Sequence, residues 1–327
     1  MRWRDLYILL AFLVKSRLLI VLVCAVGDTI ELFVIRTSNY SGAKTSINQL
    51  FVKFASPSNW RDEMLLSTTK KIAAHAMIYS IPKARYRNMI FVLSHMRAAT
   101  TALSNVLCSC PEISGYGETH VSYVSKASVG QTVVNLMIRC AWEPKARFIF
   151  DKVLHGDLHM ASGTDFFEAH AIFLIRSPTP AVQSIVRLAR HTGNVCYQCP
   201  QAAAQYYLDR LLDLKATWFQ FHPRHRFGLF TEDLLSDPET YSRDIGAWLG
   251  LQSELGTSYK SHPASLLPGG GDPILSGEVQ RIIPHTYPFD LAPIPGVSRE
   301  LSKACMQQFL DWKAIIDEPE RKSFQDG

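Results

Sequence analysis

Two arginines in this sequence each close a short apolar run and open a stretch with helical spacing. Met89-Ile90-Phe91-Val92-Leu93 leads through Ser94-His95-Met96 to Arg97, with Thr100 and Thr101 just beyond. Ala171-Ile172-Phe173-Leu174-Ile175 leads to Arg176, with Ser184 eight positions later. The arginine fork of donors matches phosphate or sulfate oxygens. The first turn of a following helix adds free N–H groups and partial positive charge. Arg97 with Thr100 and Thr101 therefore reads as one candidate anion cradle, and Arg176 with Ser184 as a second; singly, an arginine after a strand is more often solvated or structural, and the pairing of the two favours the cradle. The stretch LSHMRAATTAL lacks the GxxxxGK[ST] pattern, which disfavours magnesium-dependent kinase or NTPase chemistry.

The elements that must position these residues follow from the apolar pattern. A continuous apolar run of about five residues suits a strand buried on both faces of a parallel sheet. Thr100 to Cys110, closed by Pro111, reads as a helix, as does the stretch from Pro178 to Arg190. Gln201 to Phe221 predicts a long helix, Phe227 to Phe230 a further strand, and Pro238 to Leu249 a helix that stops at Gly250. Ser298 to Ile316 predicts a last helix, after Gly- and Pro-rich loops over 256–296. Strands alternating with helices imply an α/β fold: a three-layer sandwich with a central, mostly parallel sheet and helices on both faces.

Upstream, residues 1–35 form a hydrophobic segment, 36–84 a linker and leading helix, and 85–327 the main domain. Within the first segment, Leu6–Val14 and Leu18–Val26 are apolar runs split by Lys15, Ser16 and Arg17. Each is shorter than the roughly 20 residues a bilayer requires. Three readings stand: a signal anchor, a membrane-surface or buried segment, and an over-long start. The net charge of +5 is too mild to demand a nucleic-acid partner, and no basic stripe interleaved with aromatics is present. Seven scattered cysteines argue against a disulfide framework and for a cytoplasmic location, with or without membrane attachment through the N-terminus. Cys196 and Cys199 form a CxxC, with neither a second pair nor a thioredoxin-like strand before it, and read as ordinary helix-flanking residues.

Three stretches, in order, resemble sulfotransferases that use 3′-phosphoadenosine-5′-phosphosulfate. LSHMRAATTALSNVLCSCPEISGYGETH resembles their 5′-phosphosulfate loop, IFLIRSPTPAVQSIVRL their 3′-phosphate motif, and FGLFTEDLLSDPETYSRDIGAWLGL their Tyr-Glu-Asp-Leu segment and following helix. The match covers about Met89 to Leu251 and leans toward the bacterial and tyrosylprotein branches. It implies a P-loop-like fold and transfer of a sulfuryl group to an acceptor hydroxyl or amine, with no metal. Arg97, Ala98, Ala99, Thr100 and Thr101 would hold the 5′-phosphosulfate, and Arg176 with Ser184 the 3′-phosphate. Glu118, about twenty positions after Arg97, would be the general base, with His120 a competitor. Lys152, in FDKVLHG, would stabilise charge on the leaving oxygen together with Arg97. His95 and His155 read as structural histidines.

One departure from the family pattern bears on activity. The loop's usual Ser-Gly is Ala98-Ala99 here, so a hydroxyl is lost and a glycine replaced. If the backbone at the second alanine is helical the change is harmless; if it is not, affinity falls. A sulfotransferase-fold protein that binds nucleotide or a partner without turnover is therefore the alternative. The acceptor is left open among small molecules, glycans, lipids and peptides. GGGDPILSGEVQRI resembles the family's late glycine-containing loop, which puts Arg281 in view, although a surface loop is the simpler reading.

Overall fold

The computed structural model of the chain describes residues 4–14, 17–26, 29–37, 47–54, 71, 73–159, 162–266, 280–286, 289–290 and 292–317. The chain divides into two compact units, Met1–Pro82 and Lys83–Gly327.

In the first unit, β1 (Arg4–Val14), β2 (Arg17–Val26), β3 (Thr29–Thr37) and β4 (Ile47–Phe54) form an antiparallel sheet in chain order. The two N-terminal apolar runs are thus β1 and β2, paired from Arg4↔Val26 to Val14↔Arg17. Their richness in Val, Ile and Phe suits a pleated surface. Part of the stretch read as a linker is β4, which pairs with β3 from Ile30↔Phe54 to Thr37↔Ile47. A short helix, α1, covers residues 73–80, inside the leading helix that the spacing of Met64, Leu65, Ile72, Met77 and Ile78 predicts over 61–80; positions 61–70 of that stretch lie outside the described residues. Among the described residues, no helix is long and apolar enough to cross a membrane.

The second unit is built on five parallel strands: β5 (Met89–Ser94), β6 (Ile113–Ser114), β7 (Phe148–Val153), β8 (His170–Ile175) and β9 (Arg226–Phe230). Their order is β6-β7-β5-β8-β9. Every residue of β5 and β7 is buried, as expected of strands covered on both faces. The helices are α2 (Thr100–Cys108), α3 (Ala127–Ile138), α4 (Pro178–Thr192), α5 (Pro200–Trp218), α6 (Thr231–Ser236), α7 (Pro238–Leu249) and α8 (Arg299–Asp317). Helix α2 ends two residues before its expected limit. Asp237 caps α7 by accepting the Thr240 N–H at 3.1 Å, and Gly250 ends it in the left-handed region at φ 61°, where glycine avoids the Cβ clash.

Alternate strand residues face opposite layers. Ile90 and Val92 pack with Leu103, Val106 and Leu107 of α2 and with Ile245 and Leu249 of α7. On the other face, Phe91 stacks on Phe166 at 4.7 Å between centroids, and Phe173 meets Trp218 of α5 at 5.0 Å and Trp312 of α8 at 5.9 Å. The sheet is therefore the middle of three layers. Each such fully buried side chain contributes about 1.5–3 kcal/mol through removal from water. Of the glycine-containing stretch 269–282, only 280–282 is described; there Ser258 and Arg281 form an antiparallel bridge.

Candidate functional site

The strand order turns back at β5: β7 lies on one side and β8 on the other. Loops leaving the carboxyl ends of β5 and β8 therefore diverge, and such a crevice is where open α/β sheets receive ligands.

Both arginine-bearing turns lie at this edge, and they are tied together. Arg97 Nε donates to Ser184 Oγ at 2.9 Å, and Arg176 Nη1 donates to the Arg97 carbonyl at 3.0 Å. The Arg176 backbone N–H donates to His95 Nε2 at 3.0 Å, while His95 Nδ1 donates to the Met96 carbonyl at 2.8 Å. His95 is thus held as the neutral Nδ1–H tautomer, and burial pushes its pKa down to about 3. Helix α5 supports both turns. Tyr206 Oη accepts the Met96 N–H and donates to the Leu154 carbonyl, each at 3.1 Å, and Tyr207 Oη donates to the Arg176 carbonyl at 2.8 Å. From α6, Thr231 Oγ1 donates to the Ala98 carbonyl at 2.9 Å, and Glu232 Oε1 accepts the Ser177 N–H at 3.0 Å.

Thr100 and Thr101 form the first turn of α2, and Ala99 is its N-cap. Ala99 has φ 58° and ψ 20°, in the left-handed region, and Arg97 has φ 67°. The second alanine is therefore not helical, and the conformation is one that glycine adopts more cheaply. Ala98 is fully buried.

The neighbouring strand ends bring Glu118 and Lys152 together. Lys152, the penultimate residue of β7, is only 2% exposed, and its Nζ lies 3.1 Å from Oε1 of Glu118, which is 11% exposed. His120 Nδ1 lies 3.8 Å from Glu118 Oε2 on the solvent side. The Lys152 N–H donates to the Gly117 carbonyl at 3.2 Å. Asp151, fully buried, accepts the Thr119 N–H at 2.8 Å and the Lys152 N–H at 2.9 Å through Oδ1. Its Oδ2 accepts the Thr119 hydroxyl at 2.6 Å and the Tyr123 hydroxyl at 2.5 Å. Burial raises the Asp151 pKa to about 6, against the opposing pull of the Thr119 and Tyr123 hydrogen bonds.

Sequence reasoning passed over Asp151, Tyr206, Tyr207 and Arg210. Arg210, 2% exposed, donates from Nε to the Ser94 carbonyl at 2.9 Å and from Nη2 to the Val153 carbonyl at 3.0 Å, bridging the carboxyl ends of β5 and β7. Burial pushes its pKa down to about 10. An Asp-Lys pair inside the apolar run FIFDKV is a signal for Asp151; nothing local marks the others.

A cavity of about 340 Å³ opens beside Arg176, between Pro180, Thr231, Leu235 and Phe289. Arg281 lies instead in an open groove with Cys108 and Lys260, at the end of α2 away from Arg97, and pairs with Glu239 at 3.6 Å. Among the described residues, no group of three or more His, Cys, Asp or Glu side chains could hold a metal ion. Cys196 and Cys199 are exposed thiols at the start of α5.

No protein-family model matches the chain, and no curated protein matches it. Solved structures similar to it include the sulfotransferase domain from the curacin biosynthetic pathway, at 17% identity, covering 69% of this chain and 98% of that one with a TM-score of 0.45. The sulfotransferase domain from the olefin synthase of Synechococcus PCC 7002 has 17% identity, covering 68% of this chain and 94% of that one, with a TM-score of 0.44. A mouse sulfotransferase complexed with PAP has 12% identity, covering 76% of this chain and 91% of that one, with a TM-score of 0.42.

Proposed function

We propose that this chain is a sulfotransferase that moves a sulfuryl group from 3′-phosphoadenosine-5′-phosphosulfate to an acceptor hydroxyl or amine. One observation carries the reading. Two arginine-bearing strand-to-helix turns meet through Ser184, and a buried Lys–Glu pair lies at the next strand ends of the same sheet edge.

The donor set suits a nucleotide with two anionic ends. Arg97, Thr100, Thr101 and the first turn of α2 receive the 5′-phosphosulfate; Arg176 and Ser184 receive the 3′-phosphate. The cavity at Arg176 and Phe289 leaves room for the base beside it. The acceptor oxygen or nitrogen attacks sulfur from the side opposite the phosphate. A bond to sulfur forms as the bond from sulfur to the phosphate oxygen breaks. Glu118 takes the acceptor's proton, and Lys152 and Arg97 offset charge growing on the leaving oxygen. Charge-stabilising donors of this kind contribute about 10²–10³ in rate each. Orientation in the crevice supplies much of the rest.

A second reading, nucleotide binding without turnover, is favoured by Ala99, whose backbone has φ 58° where the family pattern has glycine. Calorimetric titration with 3′-phosphoadenosine-5′-phosphate, followed by sulfuryl transfer to a panel of acceptors, separates the two. The expected result is micromolar or tighter binding that weakens at least about tenfold in Arg176→Ala and Arg97→Ala, each removing a charge-assisted contact. Transfer should fall about 10³-fold in Glu118→Gln, which keeps the shape and removes the proton acceptor. Binding with no transfer to any acceptor would support the second reading. A folded wild-type chain that binds no nucleotide would overturn both.

A further inference from the structure

Glu118 sits on a loop, yet its carboxylate meets a buried ammonium at 3.1 Å. Something other than strand pairing must hold it there. The hydrogen bonds on either side of Glu118 show what does. The residue before it, Gly117, gives its carbonyl to the Lys152 N–H at 3.2 Å. The residue after it, Thr119, gives both its N–H and its hydroxyl to the Asp151 carboxylate, at 2.8 and 2.6 Å. Asp151 Oδ1 also takes the Lys152 N–H, so one carboxylate grips the backbone of Lys152 and of Thr119, the residue that follows Glu118. Tyr123 closes the fourth acceptor position, and Thr132 Oγ1 holds the Tyr123 hydroxyl from α3 at 2.8 Å. Asn135 Nδ2 of α3 donates to the Thr119 carbonyl at 3.1 Å.

We propose that Asp151 is a positioning residue: its carboxylate staples the Gly117–Thr119 turn to β7 and thereby sets Glu118 against Lys152. The inference rests on the proposed transfer reaction for its kinetic consequence, and on geometry alone for its structural one. A fully buried carboxylate with four donors is a costly construction for a mere loop anchor. Such precision is what a proton acceptor needs, since a displacement of about 1 Å can cost on the order of 10²-fold in rate. Glu118 and Lys152 themselves touch the reacting groups; Asp151, behind them, does not.

The test uses the full chain with Thr119→Val, Thr119→Ser and Asp151→Asn. Thr119→Val keeps the backbone donor and the side-chain shape and removes only the hydroxyl. It therefore decides the matter even if Asp151→Asn does not fold. The first readout needs no nucleotide: the rate at which acetic anhydride labels Lys152, followed by mass spectrometry. Loss of a buried hydrogen bond that holds the pair should speed labelling about fivefold to tenfold in Thr119→Val and Asp151→Asn, and Thr119→Ser should restore the wild-type rate. The second readout is transfer to p-nitrophenol. Here kcat should fall about 10–100-fold in the same two variants, as for other groups that orient a reacting side chain. KM for the donor and affinity for 3′-phosphoadenosine-5′-phosphate should stay at wild-type values.

Wild-type labelling rates in Thr119→Val and every folded Asp151 variant would overturn the inference. So would a loss of nucleotide affinity that parallels the loss of kcat, the mark of general unfolding. A wild-type chain that binds no nucleotide would overturn the proposed function, while Lys152 labelling would still decide the staple.

Discussion

His95 joins the two arginine-bearing turns through both ring nitrogens, and it can do so only while neutral. With both sites used, protonation at Nε2 would turn the acceptor of the Arg176 N–H into a second donor. Burial pushes its pKa down to about 3, and does the same to His159. A base whose folded pKa lies below its unfolded value of about 6.5 stabilises the fold fully above that value and progressively less as pH falls toward 3. Asp151 has the opposite sign. Its folded pKa of about 6 exceeds the unfolded one, so its contribution grows as pH falls from 6 to 4 and offsets part of one histidine. The three sum to about 3 kcal/mol, and burial also pushes His170 down to about 4 with the sign of His95, so unfolding free energy should be lower at pH 5.0 than at pH 7.5 by at least about that amount. Urea denaturation at the two values checks this, and an unchanged or higher value at pH 5.0 would contradict it. At this scale the sequence is informative where chemistry is local. Arg97, Arg176 and Ser184 stand out because each follows or enters a predictable strand–helix junction. Glu118 and Lys152 come into view only through the family resemblance. Asp151 is marked only as a charge inside an apolar run, with its partner Thr119 32 residues away, and Arg210 is silent, because its partner Ser94 lies 116 residues away in the chain.

The element that departs most from the sequence pattern it resembles is the turn into α2. Ala99 holds φ 58° at the N-cap, where an L-residue with a side chain pays about 1–2 kcal/mol. Replacing it with glycine relieves that cost but adds about 0.4–1 kcal/mol of unfolded-chain entropy. Ala99→Gly should therefore be neutral or stabilising by about 0.5 kcal/mol, whereas Ala102→Gly, inside the same helix, should cost about 1 kcal/mol. Comparing the two denaturation midpoints tests the strained turn directly; equal losses would refute it. Elements with uniform composition were legible: β5, β8 and β9 as apolar runs, and α4, α5, α7 and α8 from their periodicity and end signals. β7 was not, because Asp151 and Lys152 interrupt its apolar run. β6 has two residues, too few for any pattern. The Thr, Gln and Asn of α3 dilute its period.

At the scale of the whole second unit, the strand ends are held together by long-range contacts that also limit what the sequence can tolerate. Gly228 of β9 lies under α8: a Cβ placed there would approach Ile316 Cγ1 to 2.6 Å. Gly228→Ala should cost about 1–3 kcal/mol by overpacking, and the cost should shrink when Ile316→Ala is introduced alongside it. Additive losses in urea denaturation would show that the two positions do not meet. The same sheet carries a consequence in time. Its central strand is the first of the five to be synthesised, yet its partners come much later: Ser94 Oγ of β5 donates to the Leu174 carbonyl, 80 residues further on. At ordinary synthesis rates that interval is on the order of ten seconds. Until its neighbour β7 is made, Met89–Ser94 is an apolar strand with two open edges, and until β8 follows it keeps one. The arrangement that later places both arginine turns at one crevice thus makes the nascent chain depend on shielding of that strand. An apolar strand edge left open is a template for pairing with another chain, so its exposure ends only when β7 and β8 are in place.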